Sequence, residues 1–224
     1  MPQSKKLTLG YLPHGTGTLY PFNAVFDNGV NLLKHGWDGV DAICLWGGED
    51  ISSSYYGEKP HRYNQNSSGI PSQRDKDEWK AMIHAKIHGI PIIGVCRGAQ
   101  FLCAFAGGKL IQHTTGHHSN HDVMTNTGEV FMVSSCHHQM MYPWDVKDHK
   151  LLAWSREGRS TCYEGENNVN IKDCVKPEVE AVYFPSVNGL AIQGHPEWCG
   201  EEERFVEWCN EMVCEYLIKE EVVV

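Results

Sequence analysis

The stretch Pro91-Ile92-Ile93-Gly94-Val95-Cys96-Arg97-Gly98-Ala99-Gln100 decides the fold. Its apolar run reads as a buried strand, and the switch beyond Cys96 reads as the start of a helix, so a cysteine stands at the tip of a sharp elbow. Such a tip needs a strained backbone and small neighbours two positions to either side, and Gly94 and Gly98 meet that need. The side chain is then held out of the sheet. At the first turn of the following helix, unpaired N–H groups and the positive end of the dipole favour thiolate over thiol, the form that attacks carbonyls. Cys96 is therefore the candidate nucleophile. A lone cysteine is more often a buried structural residue; the flanking glycines and the strand-to-helix switch count against that here.

A cysteine nucleophile needs a base. Gly194-His195-Pro196-Glu197 follows the apolar strand Leu190 to Ile192, so an imidazole and a carboxylate emerge together at a strand end. In extended backbone, positions i and i+2 share a face, which predicts that Glu197 orients His195 for proton transfer with Cys96. Pro196 restricts the backbone between them. Either half alone reads equally well as a surface turn with a solvated Glu; together they are specific.

GVCRGAQ with GHPE resembles the class I glutamine amidotransferase superfamily. The accessory segments Gly47-Gly48-Glu49-Asp50, Tyr56-Gly57-Glu58, Arg74-Asp75, Gly107-Gly108-Lys109-Leu110 and Ser135-Cys136-His137-His138-Gln139 are similar to its gamma-glutamyl hydrolase branch, which includes enzymes acting on gamma-glutamyl-gamma-aminobutyrate. The likeness runs from about Leu7 to Glu197. Cys136 departs from it, standing where an aromatic residue is usual before the His pair. The resemblance implies that Gly47, Gln100, His137, His138 and Gln139 face the glutamyl group. Taken singly, each residue of the His137-His138-Gln139 segment reads nearly as well as part of a solvent-exposed polar turn, and Arg97 either pairs with a substrate carboxylate or lies on the surface.

With 224 residues and 41% hydrophobic content the chain can bury a full core, and it reads as a single domain over 1–224. A net charge of −9 opposes general nucleic-acid binding, which needs a basic stripe. No run of some eighteen apolar residues suggests a membrane span, and Met1 to Lys6 lead into a strand rather than a signal-peptide core. Nine cysteines, an odd number without a Cys-x-x-Cys pair, fit a reducing compartment, so a cytoplasmic location is expected.

In chain order, Leu7 to Leu12 reads as the first strand, followed by a loop through Tyr20. Phe22, Val25, Phe26, Val30 and Leu33 fall at helical spacing, with Gly36 as the stop. Val40 to Trp46 reads as a second buried strand ending in Gly47-Gly48. In an open parallel sheet, strand carboxyl ends carry the ligand site, so this pair is expected beside Cys96, with the Gly48 and Arg97 amides forming an oxyanion hole. A tight turn without chemistry is the alternative. Glu49 to Pro71 reads as a loop over the active site. A helix capped by Ser72 follows, with Asp75, Asp77 and Glu78 in its first turns, Trp79, Met82, Ile83 and Ile87 as its buried stripe and Gly89 as its end. Phe101, Leu102 and Phe105 face inward on the elbow helix.

His113, His117, His118 and His121, with Asp122, raise a zinc reading, since His117 and His121 would share a helix face. Gly116, Ser119 and Asn120 argue against a helix there, and amide hydrolysis run by Cys96 needs no metal, so no metal or cofactor is expected. Strands are expected at Glu129 to Ser134, Leu151 to Ser155, Thr161 to Tyr163 and Val179 to Phe184, with a hairpin-type turn at Val187-Asn188-Gly189. A closing helix from Glu201 carries Phe205, Trp208, Cys209, Met212, Val213, Tyr216 and Leu217 on its core side.

The expected fold is α/β, a doubly wound, mostly parallel sheet of flavodoxin-like type with an antiparallel extension. The leading expectation is a cysteine-dependent hydrolase of gamma-glutamyl amides, working through a glutamyl thioester on a small-molecule substrate. A glutamine amidotransferase subunit delivering ammonia to a synthase or ligase partner is the near rival. A catalytically silent binding protein of the same fold is the rival of a different class, disfavoured because all three triad positions are filled. Neither nucleic acid nor membrane is an expected partner, and the sequence is compatible with a homo-oligomer.

Overall fold

The computed structural model describes residues 5–15, 19–66, 68–166, 170–171 and 177–218. Met1 to Ser4, and the middle of the loop expected before Tyr20, lie outside the described residues. A nine-stranded sheet organises the chain. Its parallel half is β2 (Asn28–Asn31), β1 (Thr8–Tyr11), β3 (Ala42–Leu45), β4 (Ile92–Val95) and β13 (Gly189–Ile192), in that spatial order. From β13 the sheet continues antiparallel through β12 (Val179–Phe184), β10 (Lys150–Ser155), β7 (His121–Thr125) and β8 (Val130–Val133). The expected doubly wound α/β fold with an antiparallel extension is what forms.

The central strands are buried on both faces, which is why they read as unbroken apolar runs rather than as alternation. Along β3, Ile43 and Leu45 enter one core layer while Ala42 and Cys44 enter the other. The first layer lies under α2 (Gln73–His88) and α3 (Arg97–Phe105); the second lies under α4 (Arg204–Tyr216) with Phe22 and Phe26. Each fully buried Leu, Ile or Phe contributes about 1.5–3 kcal/mol relative to exposure.

The structure corrects two element readings. The helix expected across Phe22 to His35 is a 3-10 turn (Phe22–Ala24), then β2, then the single turn α1 (Leu32–His35) closed by Gly36 at φ 75°. Asn28, Gly29 and Asn31 are poor helix formers, and β1 offers this segment a parallel edge, Thr8 opposite Asn28 to Tyr11 opposite Asn31. The second correction is the stripe on α2. Met82 is buried, but Ile83 is 40% and Ile87 73% exposed. The inward face is Asp75, Glu78, Ala81, Met82 and Ala85, so small residues let α2 approach while two carboxylates turn inward. Ser72 and Asp75 form the expected capping box, and Gly89 the left-handed stop.

Two short pairs were not read as pairs in the sequence, and of their four strands only Tyr163–Glu164 overlaps an expected one, Thr161 to Tyr163. The strand β5 (Lys109–Ile111) pairs with β9 (Met140–Tyr142), and β6 (His113–Thr114) with β11 (Tyr163–Glu164), both antiparallel. Three residues of alternation are too few to separate a strand from a loop. No helix among the described residues is long and apolar enough to cross a membrane.

Candidate active site

Strands β3, β4 and β13 are neighbours and run parallel, so their carboxyl ends open on one edge of the sheet. Gly47 follows β3, Cys96 follows β4 and His195 follows β13. Cys96 stands at φ 50° and ψ −106°, a backbone conformation that costs a non-glycine residue about 1–3 kcal/mol. Its neighbours must be glycine. A Cβ on Gly98 would lie 2.1 Å from the Leu45 carbonyl oxygen, and one on Gly94 would lie 2.5 Å from that of Gly98. The Cys96 amide donates to the Ile192 carbonyl at 2.8 Å, tying the elbow to the strand that delivers His195.

His195 and Glu197 meet, though not as expected. Pro196–Trp198 forms a 3-10 turn, and this turn, rather than an extended strand end, folds the carboxylate back so that Nδ1 of His195 lies 2.8 Å from Oε1 of Glu197. The ring is held on its face as well. Trp198 stacks on it at 3.7 Å between centroids and 2° between planes, a contact hinted at only by an aromatic directly after the His-Pro-Glu run. The His195 amide donates to the Ser134 carbonyl at 3.0 Å, and the Ser134 hydroxyl donates back to the His195 carbonyl.

Gly47 sits between the two candidate groups. A Cβ there would lie 2.8 Å from Cε1 of His195 and 3.6 Å from Cβ of Cys96, so thiol and imidazole flank one small space. Gln193 Nε2 approaches the Cys96 sulfur at 3.9 Å. Burial pushes the Cys96 thiol up to about 12, the Glu197 charge adds to the rise, and a hydrogen bond from the Arg97 amide opposes it. The expected help from the helix N-terminus is therefore present but outweighed: a 5% exposed sulfur has lost the water that would solvate a thiolate.

The Arg97 side chain neither meets solvent nor is free for a substrate carboxylate. It is 2% exposed and bridges Asp75 and Glu78 on α2. Its amide stays at the elbow, where the sequence expected it. Arg74 makes the matching latch on the other side, with Nε donating to Glu78 at 2.8 Å and Nη2 to the carbonyls of Trp46 at 2.7 Å and Gly47 at 3.0 Å. This anchors the Gly47-Gly48 turn. The segment from Glu49 to Pro71 is packed rather than free, with Ile51, Ser53, Tyr56, His61 and Asn64 buried. It borders an open cleft of about 340 Å³ lined by Glu49, Asp50, Gln65, Asn66, Ile70, Ser72, Arg74 and Arg97.

Of the residues expected against the glutamyl group, Gln100 and Gln139 interlock. Gln100 Nε2 donates to the Gln139 carbonyl at 3.0 Å, and Gln139 Nε2 to Gln112 Oε1 at 3.2 Å. The His137-His138-Gln139 segment is not an exposed turn: His137 is 4% and Gln139 1% exposed. His138 reaches Asp50 at 3.1 Å. His137 lies in a buried group with His117, His121, Glu178 and Glu180, its ring 4.7 Å from that of His117 and its Nδ1 2.8 Å from the Gln139 carbonyl. His117 and His121 do come together, ring centroids 5.1 Å apart, although no helix carries them. Burial alone would lower His117, but the carboxylates of Glu178 and Glu180 beside it outweigh that and raise the imidazole to about 9. Burial lowers His137 to about 3 despite the nearby Glu180.

Known proteins share this architecture. A crystal structure of a glutamine amidotransferase from Thermotoga maritima superposes with a TM-score of 0.56 at 13% identity, covering 96% of this chain and 87% of that one. In sequence, glutamine amidotransferase-like protein YvdE of Lactococcus lactis is 30% identical over 187 residues, 74% of this chain and 70% of that protein. The carbamoyl phosphate synthase small chain of Helicobacter pylori is 23% identical over 85% of this chain and 48% of its own length. For several other curated relatives the matched part is likewise less than two thirds of their length. The peptidase C26 family profile matches residues 20–153. On that match and on the Lactococcus relative, the chain belongs to the peptidase C26 family, a class I glutamine amidotransferase-like group.

Proposed function

We propose that this protein hydrolyses gamma-glutamyl amides through a thioester on Cys96. The observation that carries the reading is the strained, glycine-flanked Cys96 beside a His195 that Glu197 orients through Nδ1 at 2.8 Å. With Nδ1 committed to the carboxylate, Nε2 is the nitrogen left for proton transfer. His195 takes the thiol proton as the sulfur attacks the amide carbonyl, and the amides of Gly48 and Arg97 receive the developing oxyanion. Collapse expels the amine, which leaves with the proton held on His195. Water, deprotonated by the same imidazole, then releases glutamate and restores the thiol.

Because burial opposes a resting thiolate, attack is coupled to proton transfer, and the desolvated site strengthens each hydrogen bond to the oxyanion. The test is glutamate release by purified protein from glutamine and a panel of gamma-glutamyl amines. Turnover of a gamma-glutamyl amine well above glutamine, lost in Cys96→Ala, is the expected result. Turnover surviving in folded Cys96→Ala would remove Cys96 from the chemistry.

Ammonia delivery to a synthase is the second reading, favoured by the likeness to a carbamoyl phosphate synthase small chain. Silence on the whole panel, with glutaminase activity appearing only when a synthase is added, would establish it instead.

A further inference from the structure

The group behind the His137-His138-Gln139 wall has nitrogens that nothing among the described residues satisfies. His117, His137 and Glu180 are 0%, 4% and 3% exposed, and their ligand atoms lie within 4.8 Å of one another. Among the described residues, His117 Nδ1, His137 Nε2 and Glu180 Oε2 each lack a hydrogen-bond partner. His117 Nδ1 is 3.3 Å from Glu180 Oε1 yet off the hydrogen-bonding direction. Buried polar atoms are nearly always paired, so three orphans in one cluster call for an explanation.

The other side of each imidazole supplies one. His117 Nε2 is tied to Glu178 Oε2 at 3.1 Å, and His137 Nδ1 to the Gln139 carbonyl at 2.8 Å. A metal-binding histidine characteristically gives its second nitrogen to a carboxylate or carbonyl, which fixes the tautomer and aims the free lone pair at the ion. Glu178 is itself held, by the amides of Arg159 and Ser160 and by the Tyr163 hydroxyl. A tetrahedral ion bonded at about 2.0–2.1 Å holds its ligands about 3.3 Å apart. The 3.3 Å from His117 Nδ1 to Glu180 Oε1 already has that spacing, and the 4.0 Å from His137 Nε2 to the same oxygen closes with a small side-chain shift, the second oxygen, Oε2, being free to turn toward the ion while Oε1 keeps His121.

We infer that His117, His137 and Glu180 bind a divalent transition-metal cation of the zinc class. Two imidazoles and a carboxylate suit zinc, and the two buried carboxylates, Glu178 and Glu180, match its charge. The sequence points to no metal because Gly116, Ser119 and Asn120 argue against a helix carrying His117 and His121 and because hydrolysis run by Cys96 needs none. The site instead joins the loop between β6 and β7, the segment between β8 and β9, and β12. His137 also shares the Gln139 carbonyl with Gln100, so the ion would stiffen the wall facing the proposed glutamyl site without touching the reacting atoms.

The experiment uses protein made without a polyhistidine tag, stripped by chelator and titrated with Zn²⁺ and, separately, with Co²⁺. One equivalent of each is expected to bind. Zinc at about a hundred times its Kd is expected to raise the unfolding midpoint by roughly 5 °C or more. Folded His137→Gln and Glu180→Gln are expected to lose affinity by about 100-fold or more, whereas His113→Ala keeps it. If neither variant folds, zinc-edge X-ray absorption of the unmutated protein decides: a nitrogen and oxygen shell at about 2.0–2.1 Å supports the site, and a sulfur shell at about 2.3 Å assigns the ion to cysteine and overturns it. Absence of saturable binding, or one-equivalent binding that survives in His137→Gln, also overturns it.

Discussion

At Cys96 burial and the helix N-terminus act in opposite directions, and burial wins in the free protein. A thiol pushed up to about 12 gains thiolate only as pH rises, so alkylation of Cys96 by iodoacetamide is expected to be slow at pH 7 and to accelerate steadily toward pH 10. Exposed Cys136 and Cys214 should be labelled first. Peptide mapping after timed alkylation checks this, and Cys96 outpacing Cys136 at pH 7 would mean that an ion pair with His195 overcomes desolvation. The neighbouring pair makes a second prediction. Because Glu197 reaches the chemistry only through the imidazole it orients, His195→Ala should lower kcat by about 10³–10⁴-fold, Glu197→Gln by less, and the double variant hardly beyond His195→Ala. Multiplying losses in that cycle would show that the two residues do separate work.

Between elements, the elbow depends on how α2 and α3 are locked. Arg97 at the start of α3 enters a closed cage made by Asp75 and Glu78, and Arg74 carries the lock across to the Gly47-Gly48 turn. Replacing Arg97 by Met leaves buried Asp75 without a cation and Glu78 with Arg74 alone, and is expected to cost about 3–5 kcal/mol in urea unfolding. Adding Asp75→Asn alone should restore much of that loss, since Glu78 keeps Arg74 as its partner and no uncompensated charge then remains. A loss under about 1 kcal/mol for Arg97→Met would mean that water reaches the pair. Gly98→Ala attacks the same junction sterically. Its Cβ would meet the Leu45 backbone at 2.1 Å, so α3 must move off β3, and both stability and Cys96 placement should suffer.

Over the whole molecule, the buried thiols set the alkaline limit. Cys96 and Cys103 are raised to about 12 by burial, and Cys44 and Cys209 well above their ordinary value by the same cause. In the unfolded chain these thiols ionise near pH 8.5, whereas in the folded protein they stay protonated, so above that pH the unfolded state binds fewer protons and stability falls as pH rises. The stabilisation is complete below about pH 8.5 and is lost progressively toward pH 12. Urea midpoints at pH 7.5, 9 and 10.5 are expected to fall steadily, and less steeply in Cys103→Ala relative to its own value at pH 7.5. A flat profile would mean that the thiols are hydrated in the folded state.

The sequence by itself determined the elbow, the buried strands β1, β3, β4 and β13 and the closeness of His195 to Glu197. These are local: two glycines around a cysteine, unbroken apolar runs, and a proline between two functional residues, each written in a few consecutive positions. Tertiary structure alone decided where Arg97 goes, because its partners Asp75 and Glu78 lie on a different helix whose spacing reads equally well as a favourable dipole pattern. It also decided that Asn28–Asn31 is a strand, since the edge of β1 satisfies backbone groups that a helix would otherwise have claimed. The buried imidazoles make the same point. His117, His137 and Glu180 come from a loop, a second loop and a strand, and only sheet pairing across β7, β10 and β12 brings them within reach of one ion.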